Sequence, residues 1–426
     1  MPDGAATAHL YRPKLVTVLR EGYGASELRR DAVAGVTVAV IALPLSMAIA
    51  VASGVSPERG LYTAIVGGFL VSALGGSRFQ VGGPAGAFIL LVAAAAARFG
   101  IEGLLTAVLL SGAMLTLLGL FRLGSLVRHI PHPVTVGFTC AIAATILASQ
   151  LKDLGGLHLP GVEPGPLLPK LAVLFGALPS LNPAALALGA GVAALILVLR
   201  RLAPTWPGML IAIVAASAGS VALGLSVETI GSRFGEIPRG LPSPALPKLG
   251  WGQVIQVLPT ALSFTLLGAV ESLLSAKVAD GMTGRKHRSN MELVAQGVAN
   301  MGSAVFGGIC VTGTIARTAA NVRAGARSPI AGILHAVVLL AFMVIAAPLA
   351  GFVPLSALAG VLVVVAWNMA ERAEFLRLLR DWRSAAVLLA TFLVTLAHDL
   401  TAGIIAGCLV ATFLAALRRP VAEEGD

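Results

Sequence analysis

Apolar runs of membrane-spanning length recur along the whole 426-residue sequence, and charged residues sit almost entirely in the short stretches between them. A chain that crosses a bilayer must satisfy its backbone internally, which leaves helices or a closed barrel. Runs near 20 residues select helices. Only 12% of the residues are charged and the mean hydropathy is +0.90, whereas soluble domains carry about 25% charged residues. The 49 Gly and 24 Pro would mark loops in a soluble chain. Inside spans they are tolerated, because neighbouring helices re-satisfy the backbone. Fourteen spans are predicted, at 32–52, 60–74, 85–97, 104–120, 133–150, 184–199, 208–225, 254–276, 292–306, 314–322, 329–349, 355–369, 385–396 and 403–417. The third and tenth are too short to cross alone, and each follows a Gly-rich, non-helical stretch.

The net charge of +10 raises the question of nucleic acid, but the basic residues form no single patch. They fall in small clusters between apolar runs. With the N-terminus inside and fourteen spans, only Arg59, Arg98, Lys152, Lys170, Arg233, Arg239 and Lys248 of the 30 Lys and Arg face outward. The inward set includes Arg128, Arg418 and Arg419. This bias obeys the positive-inside rule, and losing one span would invert every later loop. The expected location is the inner membrane, multi-pass, with both termini cytoplasmic. The first thirty residues do not read as a signal peptide, and Arg12–Arg30 reads as a basic surface or interfacial helix. Cys140, Cys310 and Cys408 have neither metal nor disulfide spacing. His129 and His132 are separated by a helix-breaking Pro131. Neither a metal site nor a cofactor is expected.

The long connections are Lys152–Pro183, with an amphipathic stretch at 167–178, and the Pro- and Gly-rich 227–250. The second divides the chain into a basic segment 1–30, a first seven-span repeat 31–225, a connection 226–250, a second repeat 251–418 and a tail 419–426. Seven is odd, so the repeats must be inverted relative to each other. They share a pattern: "SALGG" at 72–76 then "QVGGPAGAF" at 80–88, and "SAVFGG" at 303–308 then "CVTGTIART" at 310–318. Extended backbone at membrane depth requires a cavity or protein cover. A half-helix starting there aims N–H groups and a positive dipole end at that point. Two such ends, near Gly86–Phe88 and Thr314–Arg317, would attract an anion. The alternative is a pair of ordinary kinked helices, which the paired positions disfavour.

Glu271 in span eight and Arg317 in span ten are ionisable residues inside spans, costing on the order of 3 kcal/mol each. Three roles are open to Glu271: carrying a proton, binding a cation, or pairing structurally with Arg317. Arg317 either contacts an anion or supplies positive potential from behind. Asp280, Glu292 and His335 are expected near helix ends in structural roles.

The run 42–86, with Pro44, "GLYT" at 60–63 and "GGSRFQVGGPAG", resembles the sulfate permease (SulP, solute carrier family 26) anion transporters, as do "VESLLSAKVADGMTGRKHRSN" and "TGTIARTAANVRAGARSP" in the second half. The resemblance covers nearly the whole chain. It implies an all-α membrane fold of two inverted seven-span repeats, shared with nucleobase transporters. Spans one to four and eight to eleven would form a mobile core, and spans five to seven and twelve to fourteen a gate that supports a homodimer. Carried over, the substrate site comprises Pro44, Leu45, Ile49, Ala87, Phe88, Thr314, Ile315, Ala316 and Arg317, with Glu271 and Ser275 for a coupling proton or sodium. Leu45, Ile49 and Ala316 stand where many members have Gln, an aromatic and Ser. The pocket is thus less polar, suiting a carboxylate or bicarbonate. Family members usually continue into a cytoplasmic STAS domain, which the sequence to Asp426 does not contain. The resemblance implies elevator-like secondary transport of a small anion (dicarboxylate, bicarbonate, sulfate or chloride), with a channel or exchanger as the alternative. A nucleobase carrier would need an acid in span ten, where Arg317 stands. A membrane enzyme lacks any nucleophile set, and a scaffold would not explain two broken helices.

Overall fold

A helix confines its backbone hydrogen bonds to itself, so most of the apolar runs fold as helices. The computed structural model describes residues 11–124, 131–161, 164, 167–204, 206–248, 250–398 and 400–417. Arg128, His129, Arg418, Arg419 and the tail 419–426 lie outside these residues. The helices in chain order are α1 Lys14–Glu21, α2 Ala25–Ala52, α3 Pro57–Tyr62, α4 Gly68–Leu74, α5 Ile89–Leu120, α6 His132–Gly155, α7 Leu167–Gly176, α8 Pro183–Leu202, α9 Gly208–Ala222, α10 Ile230–Phe234, α11 Trp251–Thr283, α12 Ser289–Val305, α13 Ile315–Arg323, α14 Ile330–Ala350, α15 Leu355–Met369, α16 Arg372–Leu378, α17 Trp382–Ala397 and α18 Leu400–Ala416. A π turn, Thr63–Gly67, joins α3 to α4, and a short 3-10 turn, Gly86–Phe88, leads into α5. Among the described residues, 7 helices are long and apolar enough to cross a membrane, and shorter apolar helices accompany them.

The helical run Gly86–Leu120 is 35 residues long, about 50 Å at 1.5 Å per residue, which exceeds the bilayer core. It is broken at Gly100, with φ 68° and ψ −174°. That single residue falls between the predicted third and fourth spans. A left-handed φ is open to Gly without steric cost.

The expected basic helix Arg12–Arg30 is instead two elements. α1 ends at Gly22, φ 95°, and α2 begins at Ala25, so the first long helix starts seven residues before 32. α1 is docked. Lys14 N donates to Gly75 O at 2.9 Å, Arg288 Nη1 donates to Arg12 O at 2.6 Å, and Tyr11 Oη donates to Leu120 O at 2.8 Å. Arg78 pairs with Glu21 at 2.6 Å and, through that hydrogen bond, holds the Glu21 carboxyl below its usual pKa.

Two packing groups emerge. In one, α5 lies against α11 and α12, and α2 against α13 and α14. In the other, α6 and α8 lie against α15, and α17 against α6 and α18. Each group mixes helices from both halves of the chain. α5 and α12 approach closely: a methyl on Gly112 would lie 2.7 Å from Gly297 O, and one on Gly297 would lie 2.5 Å from Gly112 O. Small residues at such crossings let backbones meet where lipid removes the hydrophobic drive.

Candidate functional site: two helix starts across a glycine ribbon

The two broken helices meet in a short antiparallel ribbon. β1, Gly82–Gly83, pairs with β2, Thr312–Gly313, in the register Gly82↔Gly313 and Gly83↔Thr312. The ribbon therefore joins the two halves of the chain directly. Its strands run oppositely, so α5 and α13 leave in opposite directions, with their positive dipole ends toward the ribbon. Neither start has a side-chain cap: Ala85 and Thr314 hold the extended N-cap positions without one. The first-turn N–H groups consequently lack intrahelical partners.

Extended backbone in a buried place must be hydrogen-bonded, and side chains do this work around the ribbon. Asn300 Nδ2 donates to Val311 O at 2.7 Å, and Val311 N donates to Asn300 Oδ1 at 2.9 Å. Asn321 Nδ2 donates to Phe79 O at 2.9 Å, Val81 N to Thr318 Oγ1 at 3.3 Å, and Ile309 N to Thr63 Oγ1 at 2.7 Å. Gln80 Nε2 donates to Ser272 O at 2.9 Å, and Ser272 Oγ bonds Thr312 Oγ1 at 2.7 Å. Glu292 is such a clamp too: its Oε2 accepts from Gly76 N and Ser77 N. This matches its expected structural role, as does the bond from His287 N to Asp280. His335 is likewise near a helix end, as expected. It lies in the second turn of α14, fully buried, and neither ring nitrogen has a protein partner.

The ribbon glycines leave room for two side chains. A Cβ on Gly83 would sit 1.7 Å from Arg317 Nη1, and one on Gly313 would sit 1.4 Å from Gln80 Nε2. Arg317 is 1% exposed. Its guanidinium donates to Gly82 O at 3.4 Å, Pro84 O at 3.2 Å and Ser46 Oγ at 3.1 Å, while Nε keeps no protein partner. It is held against the ribbon, as a fixed charge behind the helix starts. Glu271 does not pair with it: among the described residues no ion pair joins the two, so of the three roles open to Glu271 the pairing with Arg317 is not realised. The physical reason is that ribbon carbonyls and Ser46 occupy the guanidinium. Glu271 is partly exposed, with Oε2 buried and without a hydrogen-bond partner. Ser275, one turn on, donates to Thr318 Oγ1 at 3.0 Å, so its hydroxyl is engaged in holding α13.

The walls are apolar. Leu45, Ile49, Ala87 and Phe88 belong to one continuous buried cluster, and Phe88 meets Phe264 edge-on at 6.0 Å. Pro44 is buried beside them in α2. A methyl on Gly86 would reach Ile146 and Met369, so the α5 start faces the second packing group. Thr314 is buried and its hydroxyl is without a partner. Ile315, 38% exposed, and Ala316 are open. Sequence reasoning missed Ser46, Gln80, Phe264, Ser272, Thr312 and Thr318. Ser46 and Gln80 lie inside the quoted motifs, and Ser272 flanks Glu271, but nothing in the letters tells which way they point.

Residues 28–392 match the sulfate permease family. The chain is 42% identical over 402 residues to the "Putative sulfate transporter YvdB" of Bacillus subtilis (strain 168), covering 94% of this chain and 75% of that one. It is 30% identical over 402 residues to the bicarbonate transporter BicA of Picosynechococcus sp., covering 91% and 70%. Among solved structures, the transmembrane domain of a cyanobacterial BicA superposes with a TM-score of 0.78 at 29% identity, covering 90% of this chain and 98% of that one. SLC26A9 superposes with a TM-score of 0.88 over 97% of this chain and 69% of that one, at 20% identity, a likeness of fold alone.

Proposed function

The chain belongs to the sulfate permease family, and from that premise we propose that it carries a small oxyanion, of the bicarbonate or carboxylate class, between the starts of α5 and α13. It is a multi-pass membrane transporter of anions rather than an enzyme. The observation that carries the finer reading is the pair of uncapped helix starts across the ribbon, with Arg317 buried behind them. Backbone N–H groups and dipole ends suit an anion, and Arg317 adds positive potential without leaving the ribbon. Apolar Leu45, Ile49 and Ala316 offer few hydrogen bonds, which favours bicarbonate or a carboxylate, whose charge is spread over a partly apolar frame, over a fully hydrated sulfate. Relatives named for sulfate and for bicarbonate bracket this choice.

The mechanism we infer is elevator-like. The group containing α2, α5, α11, α13 and α14 moves with the anion against the group containing α6, α8, α15 and α17. Support comes from the ribbon, which locks both halves of the carrying group together, and from the two-group packing. The reading keeps two inverted repeats, 31–225 and 251–418, joined by 226–250 and flanked by 1–30 and 419–426, with fourteen spans in the inner membrane and both termini cytoplasmic. The outer packing group is the surface through which a homodimer would form. Glu271, with its unpartnered oxygen beside the ribbon, is the coupling residue for a proton, or for sodium with Ser275.

The test is uptake into proteoliposomes of labelled bicarbonate, dicarboxylate, sulfate and chloride, with and without an inward proton gradient. Saturable, gradient-driven uptake of bicarbonate or a dicarboxylate is expected, and Glu271→Gln should abolish the gradient dependence while facilitated exchange persists. A preference for sulfate in competition would sink the substrate assignment. Unchanged gradient dependence in Glu271→Gln would remove Glu271 from coupling.

A further inference from the structure

Beside the ribbon, α4 packs against both α14 and β1, and a buried polar space lies where the three meet. His335 borders it from α14, 0% exposed, with neither Nδ1 nor Nε2 bonded to protein. Ser72 borders it from α4, 1% exposed, and its Oγ has no protein partner either. The carbonyls of Gln80 and Gly82 complete it. Two glycines leave the space open. A Cβ on Gly68 would lie 3.0 Å from Gly82 O and 3.6 Å from His335 Nδ1, and a Cβ on Gly332 would collide with Ser72 Oγ and lie 3.6 Å from Gln80 O. Gly332 and His335 are three residues apart on α14, so they share one face of that helix. We propose that this space is a binding site for an ordered water that links His335 to Gly82 O, and that His335 is thereby a positioning residue for the anion site.

The donors and acceptors are complementary. A neutral imidazole offers one N–H and one bare acceptor nitrogen, and a carbonyl oxygen has two lone pairs. Gly82 O accepts from Arg317 Nη1 at 3.4 Å, the longest of the three bonds that hold the guanidinium. It therefore has room for a second donor. His335 Nδ1 does not reach it directly, and water bridges such separated polar groups at nearly the enthalpy of a direct bond. A buried water needs two to four polar partners, which His335, Gly82 O, Ser72 Oγ and Gln80 O supply. Most buried polar groups in folded proteins are hydrogen-bonded, so three unpartnered atoms bordering one space point to a shared partner there. The consequence falls on the ribbon. Gly82 pairs with Gly313 and also seats Arg317, so a bond to its carbonyl from α14 fixes the strand from which the α5 start leaves. Donors held in place before the anion arrives lose less freedom on binding it. That consequence rests on the anion-transport reading; the water site itself does not.

The experiment compares His335→Leu, which deletes both ring nitrogens, with His335→Gln, which keeps a donor and an acceptor, in the full chain. Proteoliposome uptake of labelled bicarbonate and of labelled sulfate gives KM and the maximal rate, and thermal stability in detergent reports the fold. His335→Leu should raise KM about threefold to tenfold, the scale of one hydrogen bond, with the maximal rate within about twofold of wild type. His335→Gln should recover most of the loss. An unchanged KM in His335→Leu, or a His335→Gln no better than it, overturns the positioning role. Should His335→Leu fail to fold, Ser72→Ala removes only a hydroxyl from the same space, and an unchanged KM there overturns the role instead. A second arm uses the wild-type protein in bilayers and needs no transport. His335–Ala336 is the one His–Ala step in the sequence, so labelling histidine with carbon and nitrogen isotopes and alanine with nitrogen singles out His335 by solid-state NMR. Its ring nitrogens should receive magnetisation from water protons. A ring without that transfer overturns the water site. Should the wild-type protein take up neither anion, the transport reading falls, while this arm still decides the water.

Discussion

The start of α5 and the start of α13 are built on the same backbone plan: a Gly-rich extended piece, one strand of the ribbon, then an uncapped helix. Their surroundings differ. Ala87 and Phe88 are buried under Phe264 and the apolar cluster, whereas Ile315 and Ala316 are open. Arg317 belongs to the second and reaches across to the carbonyls of the first strand, Gly82 O and Pro84 O. The repeat thus supplies two dipole ends, and one side chain supplies the fixed charge for both. Neither half is a complete site. The covered half is the one that faces Met369 and Ile146, across the boundary between the packing groups.

The largest effect should come from removing that asymmetry. Arg317→Ala deletes a buried cation and leaves Gly82 O, Pro84 O and Ser46 without it. Hydrogen bonds to charged groups contribute about 1.5–3 kcal/mol each, so anion uptake should fall by more than about tenfold in proteoliposomes. Arg317→Lys should recover only part of it, because a compact ammonium lacks the planar fork that spans the separate acceptors Gly82 O, Pro84 O and Ser46 Oγ. Uptake by Arg317→Ala at the wild-type rate would show that the dipole ends suffice.

Gly83→Ala tests the same contact from the other half. Its Cβ would occupy the place of Arg317 Nη1, and the guanidinium has no exposed direction in which to retreat. Uptake should fall by about tenfold, less than in Arg317→Ala because the charge remains. The protein should still fold, as judged by detergent thermal stability, since the helices are untouched. Normal uptake by Gly83→Ala would mean the guanidinium is not seated on the ribbon.

Ala316→Ser is the smallest and the most diagnostic. It adds a hydroxyl on the exposed helix start, where burial costs nothing, and one extra hydrogen bond of about 1 kcal/mol. The ratio of sulfate to bicarbonate uptake should rise about threefold to fivefold. The matching change at the covered start, Ala87→Ser, should lower uptake of both anions, because its hydroxyl would be buried among apolar neighbours. Equal effects at the two positions would erase the comparison.

The apolar helices, the short helix at 315–323 and the pairing of "QVGGPAG" with "CVTGTIART" were legible because hydropathy and glycine spacing are local properties of the chain. The Gly100 break was visible as a gap between predicted spans. Glu271 and Arg317 stood out because charge is costly in a span. Their relation stayed open between pairing and separate roles, since sequence separation says nothing about which acceptor a guanidinium reaches. The roles of Asn300, Asn321, Thr318 and Gln80 were invisible for a related reason: each serves a backbone group from 11 to 242 residues away.

What the amino-acid sequence determined by itself is the solvent and the plan: apolar runs that must be helical in a bilayer, two half-helices where glycines interrupt them, and a family motif around each. Only the tertiary structure decided that the interruptions pair as Gly82↔Gly313, that Arg317 lies against the ribbon rather than on Glu271, and that one helix start is covered while the other is open. The reason is physical. Helix formation depends on residues a turn apart, whereas a ribbon at membrane depth is stable only when distant side chains complete its hydrogen bonds, and that completion exists only once both halves of the chain are folded together.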